Sequence, residues 1–214
     1  MAIRILLADD HGIMRAGLRA ILALEDDLEV VGEANDGRAL LTLARLARPD
    51  VVVMDVGMPE LNGIEATRRL RELQPATRVL ALSTHSDRQY VLAMLEAGAG
   101  GYVVKEAAAE ELVRAIRAVE RGQTYLCAEV AGGVVAHAIT PTAAPNPATE
   151  LLTEREREVL QLVAEGHTTQ QIAGRLHIAV KTVEAHRRNI MKALGLHSVA
   201  DLTRFAVRHG LTEP

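Results

Sequence analysis

The sequence predicts a doubly wound α/β unit on a five-stranded parallel sheet, followed by a small all-helical unit. Three observations carry that expectation. Five short apolar runs alternate with five amphipathic segments over the first 121 residues. A proline-rich stretch follows. After residue 150 only helical patterns remain. Strand-helix alternation places parallel strands side by side with right-handed crossovers, and such strands, buried on both faces, read as nearly continuous apolar runs.

Taken in order, the strand candidates are 4–8, 28–34, 51–55, 78–82 and 101–104. Between and after them, helical periodicity covers 12–24, 38–47, 63–73, 87–97 and 108–121. This front domain spans 1–121. A connecting segment, 122–149, ends in ITPTAAPNPAT (139–149), which holds three of the seven prolines and no charge. Such a composition reads as a semi-extended linker. The back domain, 150–214, shows four helical patterns at 153–164, 168–176, 180–193 and 198–209. Thr153 with Glu156 fits a capping box at the first of them.

Composition removes several function classes. Aromatics make up 2% of residues, with no Trp, so single-stranded nucleic acid recognition by base stacking is not expected. The single cysteine, Cys127, allows no disulfide within the chain, which fits a cytoplasmic protein. The start, MAIRILLADD, lacks a basic stretch followed by a long apolar core and does not read as a signal peptide. No apolar run approaches the ~18 residues of a membrane span. The net charge is −4, but residues 179–194 carry Lys181, Arg187, Arg188 and Lys192 against Glu184 alone. That local excess matters more for a polyanionic partner than the total.

Strand ends concentrate the chemistry of a doubly wound sheet. Asp9 and Asp10 follow the first strand and Asp55 ends the third. Three converging carboxylates repel one another unless a cation or proton neutralises them. A hard ion such as Mg²⁺ suits an all-oxygen site, and an aspartate held there can attack phosphorus. Ser83 ends the fourth strand with a hydroxyl, and Lys105 ends the fifth with a cation. A lone aspartate after a strand is ordinarily a helix cap; capping does not explain five such groups at strand ends, because a lysine does not help a helix N-terminus. Ser83, His85 and Asp87 do not form a hydrolase triad, since they share one short loop and the chain has no G-x-S-x-G.

The segments ADDH (8–11), MDVGMPELNG (54–63), LSTH (82–85) and GYVVK (101–105) resemble the receiver domains of two-component response regulators. That resemblance implies phosphorylation of Asp55 by a sensor histidine kinase. It implies Mg²⁺ on Asp9, Asp10, Asp55 and the backbone carbonyl of Gly57, with Ser83 and Lys105 touching the phosphoryl group. Tyr102 resembles the family's aromatic switch residue; from the strand pattern alone it reads as a half-buried tyrosine. Two departures are small: Gly12 stands where a proline is frequent, and Ser83 where threonine is commoner.

In the back domain, angles at about 100° per residue place Arg188, Lys192, Ala185 and Glu184 within about 60° of Lys181. Val183, Ile190 and Leu194 occupy the opposite face. An amphipathic surface helix shows the same division; a short helix and a tight turn before it give the pattern of a helix-turn-helix. LTEREREVLQLVAEG, QQIAGRL and KTVEAHRRNIMKALG are similar to the LuxR-type helix-turn-helix of NarL/FixJ-class regulators. The resemblance implies binding of double-stranded promoter DNA in the major groove, and a homodimer when phosphorylated. The expected DNA-contacting residues are Lys181, Thr182, Glu184, Ala185, Arg187, Arg188 and Lys192. Ala179 departs from the family, which usually has Ser or Thr as the cap there. His167, His177, His186, His197 and His209 show no zinc spacing with cysteine. An enzyme with turnover would need a further general acid or a substrate-binding insertion near Asp55, for which the loops are too short. A small-ligand sensor would not need the full Asp, Asp, Asp, Ser, Lys set. The expected function is a phosphorylation-controlled transcription regulator without enzymatic turnover.

Overall fold

The computed structural model describes residues 2–139 and 151–212. The chain divides into two compact units, 1–142 and 143–214. The proline-rich linker expected at 139–149 lies outside the described residues, apart from Ile139.

The first unit alternates β1 (Ile3–Ala8), α1 (Gly12–Leu22), β2 (Leu28–Ala34), α2 (Gly37–Ala47), β3 (Val51–Asp55), α3 (Gly63–Leu73), β4 (Arg78–Ser83), α4 (Arg88–Glu96), β5 (Gly101–Val104) and α5 (Ala109–Glu120). With a sixth strand, β6 (Tyr125–Leu126), at one edge, the strands lie in the order β2-β1-β3-β4-β5-β6, all paired in parallel. Because side chains alternate along a strand, each strand feeds two cores. Leu6, Val52, Met54, Val79, Ala81 and Tyr102 join one apolar cluster with residues of α2, α3 and α4. Ile5, Leu7, Val51, Val53, Leu80 and Val103 join the other with α1 and α5. This explains why the strands show no apolar-polar alternation in sequence.

The sheet has a sixth strand that the sequence pattern did not predict. Within the connecting segment, β6 (Tyr125–Leu126) pairs with β5, and α6 (Ala128–Ile139) follows it. Two residues are too short to show a period. The sequence of α6, AEVAGGVVAHAI, carries almost no polar contrast. Val130 is buried and Val134 packs against the same cluster as α4.

Gly63 fixes the loop after β3. A Cβ there would lie 2.1 Å from the Asp55 carbonyl oxygen. The close approach lets the Gly63 N–H donate to the Val56 carbonyl at 3.0 Å. Asn62 caps α3 through the Glu65 N–H at 2.9 Å.

The second unit contains α7 (Glu154–Ala164), α8 (Thr169–Leu176), α9 (Val180–Leu194) and α10 (Val199–Arg208) around an apolar cluster that includes Val159, Ile172, Val183, Ile190 and Leu202. Thr153 and Thr168 each close a capping box, and Ser198 caps α10. His177, in the left-handed region at φ 52°, ends α8 and makes the tight turn into α9. Ala179 caps α9 with backbone only, although its φ −69° and ψ 146° already have the extended geometry a capping residue adopts. Ala179→Ser therefore requires no backbone change. It is expected to stabilise the second unit by about 1 kcal/mol, read as a higher urea midpoint, whereas Thr168→Ala should lower that midpoint by a similar amount.

Candidate functional site

The sheet order makes β1 and β3 neighbours, so the carboxylates that end them meet. Asp9 and Asp55 are both buried, while Asp10 and His11 are exposed at the rim. Lys105, just past β5, reaches across β4's end. Its Nζ lies 2.8 Å from Asp9 Oδ2 and 2.8 Å from Asp55 Oδ2, and its side chain is only 7% exposed. Burial works against the Lys105 charge, but its hydrogen bonds to Asp55 and Asp9 outweigh this and hold its pKa above the ordinary value. Burial pushes the Asp55 carboxyl up, with Lys105 pulling the other way and Asp9 adding to the rise.

The remaining groups complete a polar cup in an apolar sheet. The Gly57 N–H faces Asp55 Oδ1 at 3.4 Å. The His11 N–H donates to Asp9 Oδ1 at 2.7 Å, and its ring Nδ1 lies 2.8 Å from Asp10 Oδ1. One ligand atom from each of Asp9, Asp10, His11 and Asp55 fits within a 4.8 Å span. Three carboxylates against one ammonium leave a net negative cup, and its oxygen-rich donor set fits a hard divalent cation.

Ser83 is buried at the end of β4, one strand from Asp55. Its Oγ accepts from the His85 N–H at 3.1 Å. Tyr102 is fully buried, not half-buried, and its hydroxyl donates to the His85 carbonyl at 2.7 Å. Burial pushes that hydroxyl's pKa well up, so it remains a donor.

In the second unit, Lys181, Thr182, Glu184, Arg188 and Lys192 are exposed on α9, opposite the buried Val183 and Ile190. Ala185 is half-buried. Arg187 is half-buried too, and its Nη1 donates to Thr169 Oγ1 on α8 at 3.0 Å, tying the two helices of the turn together.

Residues 5–117 match the family model described as response regulator receiver domain, and residues 150–206 that described as bacterial regulatory proteins, luxR family. The chain belongs to the LuxR-type response regulators. It carries a receiver domain and a LuxR-type DNA-binding domain. This response regulator is 37% identical to the response regulator GacA of Pseudomonas aeruginosa over 211 residues, covering 99% of this chain and 98% of that one. It is 37% identical to the oxygen regulatory protein NreC of Staphylococcus carnosus over 215 residues, covering 98% and 99%. Among solved structures, ChrA, the response regulator of a heme-sensing two-component system, matches with a TM-score of 0.54 and 37% identity over 98% of each chain. A structure of two RcsB dimers bound to two parallel DNAs matches with a TM-score of 0.59 and 25% identity, covering 96% of this chain and 98% of that one.

The response regulator thus brings Asp9, Asp10, Asp55, Gly57, Ser83 and Lys105 to one end of the sheet, with the Tyr102 hydroxyl bonded to the His85 carbonyl and to Ser83. His11 is a neighbour of the site that sequence reasoning passed over, and His85 is one that it weighed only as a member of a hydrolase triad and set aside. His11 follows the paired aspartates directly and could have been found by its position. His85 takes part through its backbone N–H and carbonyl, which no residue type encodes. No helix among the described residues is long and apolar enough to cross a membrane.

The shared ammonium sets a direct test. Lys105→Met leaves two buried carboxylates facing each other, and breaking such a pair costs about 3 kcal/mol or more. The urea midpoint of the receiver should fall accordingly at pH 7. The deficit should shrink as pH falls toward 5, because unpaired buried carboxylates bind protons more tightly folded than unfolded.

Proposed function

We propose that this response regulator is phosphorylated on Asp55 by a sensor histidine kinase and thereby controls its own dimerisation and its binding to promoter DNA in the cytoplasm. The carrying observation is the Lys105 ammonium held 2.8 Å from both Asp9 and Asp55. It fixes the orientation of the Asp55 carboxylate and supplies a positive charge beside the point where a phosphoryl group would attach. Phosphoryl transfer leaves a protein little covalent work beyond positioning and charge stabilisation.

An Asp55 oxygen attacks the phosphorus of a phosphohistidine, the phosphorus–nitrogen bond breaks, and the imidazole leaves with its electron pair and takes a proton. The product is an acyl phosphate. Mg²⁺ on Asp9, Asp10 and Asp55, with the Gly57 carbonyl, supplies charge neutralisation of the phosphoryl oxygens when bound. Ser83 offers a hydroxyl to one of those oxygens and Lys105 a cation to another. Turnover of a separate substrate forms no part of this reading, since the phosphoryl group ends on the chain itself.

On α9, Glu184, Ala185 and Arg188 would meet base edges. Arginine can bond guanine at two points, glutamate accepts from cytosine, and a methyl side chain meets the thymine methyl. Lys181, Thr182 and Lys192 would hold phosphates, which position without specifying. Arg187 would reach a phosphate only at the rim, because its guanidinium already serves Thr169.

With Mg²⁺ and acetyl phosphate, the wild-type chain should gain one hydroxylamine-sensitive phosphoryl group, and Asp55→Asn none. Full labelling of that variant would place the acceptor elsewhere. On DNA, Arg188→Ala should cost about 1–3 kcal/mol and relax preference at one base pair, while Lys181→Ala should weaken specific and random DNA alike and lower the salt slope by about one. Equal losses on both DNAs for Arg188→Ala would remove its base-reading role.

A further inference from the structure

Consecutive residues of an extended strand point to opposite faces of the sheet. Asp9 and Asp10 are consecutive, yet each offers an oxygen to the same 4.8 Å span as Asp55. The chain must leave the strand between them, and it does: β1 ends at Ala8 and the chain bends at Asp10. No glycine or proline stands in ADDH to set that bend. On the strand side, the Asp9 N–H donates to the Ala34 carbonyl of β2 at 3.2 Å. On the bend side, the Asp9 carbonyl accepts from Arg15 Nη1 at 2.5 Å. Arg15 lies in the first turn of α1, whose capping residue His11 makes no side-chain cap bond. The Arg15 side chain is only 20% exposed, and its Nε lies 3.4 Å from Glu33 Oε2 of β2. One turn further along α1, Arg19 pairs with the other oxygen of Glu33 at 3.4 Å, but it is largely exposed and is not bonded to Asp9.

We propose that Arg15, braced by Glu33, is a positioning residue for the divalent cation site: it holds the Asp9 carbonyl so that the Asp9 and Asp10 carboxylates stay turned toward one ion. The proposal rests on reading the acidic cup as a Mg²⁺ site. Two like charges on adjacent residues separate unless the backbone between them is fixed. Lys105 does not fix it, because its ammonium holds the carboxylates of Asp9 and Asp55 and not the peptide. The guanidinium does. Its donors are set in one plane, so Nη1 meets the carbonyl while Nε faces Glu33, and β2 thereby sets the direction of the bend. A bond from a charged donor is also stronger than one between neutral groups. Charge and position make opposite demands here. Arg15 is a cation beside a cation site, so through charge alone its removal would tighten metal binding. Through position, its removal weakens metal binding.

The experiment titrates the full, unphosphorylated chain with Mn²⁺, which suits the same oxygen donors as Mg²⁺, and counts the free ion by electron paramagnetic resonance. Wild type should bind one ion, with Mg²⁺ competing for it. Arg15→Gln should raise the Kd about tenfold, as removing the support of a metal ligand does. Arg15→Lys keeps the charge and loses the fork, so it should raise the Kd by less, whereas charge alone would leave it unchanged. Arg19→Gln takes the same charge from the same helix without touching Asp9, and it should leave the Kd unchanged or lower it. Urea midpoints measured without metal separate loss of the site from loss of the fold; if Arg15→Gln does not fold, Arg15→Lys decides. A Kd unchanged or lowered in the folded Arg15 variants overturns the positioning role and leaves the cup as a cation site. An equal rise in Arg19→Gln overturns the bond to the Asp9 carbonyl as the cause. Absence of Mn²⁺ binding in wild type overturns both the positioning role and the cation site.

Discussion

One ammonium group between two buried carboxylates sets the terms for the receiver. Asp9 and Asp55 arrive at the same place because β1 and β3 are neighbours and both strands end there. In an apolar sheet their mutual repulsion is severe, and burial alone pushes Asp55 toward its neutral form. Lys105 resolves the conflict from β5, two strands away from β3. The lysine requires β5 to lie in register with β4 and the loop after β3 to stay tight. The first need is met by the pairing of Ser83 with Val104, the second by Gly63 against the Asp55 carbonyl. The same arrangement leaves the cup short of positive charge, which is the condition for accepting a divalent cation and then a phosphoryl group.

The core of the fold was legible because strand burial on both faces writes itself as uninterrupted apolar residues. VVVM in β3 and VLAL in β4 are of this kind. Helix bounds followed from caps whose chemistry is local, such as Thr153 with Glu156. What escaped had no side-chain signature. A two-residue strand has no period, and α6 shows no polar face to set against its apolar one. Tyr102 looked half-buried because strand position alone does not reveal that β6 and α6 close over the sheet beside it. His85 escaped for a different reason: its N–H and carbonyl, not its imidazole, join Ser83 to Tyr102.

In the second unit the local rules agree except at the helix that would face DNA. Three of its four helices have a side-chain cap, and α9 has none. Its first turn is therefore held by packing through Val183, and about two turns from the helix start Arg187 ties the helix back to Thr169. Arg187 thus connects the two halves of the helix-turn-helix, so a change at that residue would alter the presentation of the exposed face as well as its charge.

The charges of the two units constrain how a signal could pass between them. The chain as a whole is at −4, so its long-range field opposes a polyanion. The local excess on α9 supplies attraction, effective within roughly 10 Å at moderate salt. A phosphoryl group would add about 1.5 to 2 further negative charges to the receiver. Electrostatics alone would then make phosphorylation weaken DNA binding. Any strengthening must instead come from a change in association or in the exposure of α9, large enough to exceed that repulsion. A local charge produces such a change only through an element with two arrangements of similar free energy.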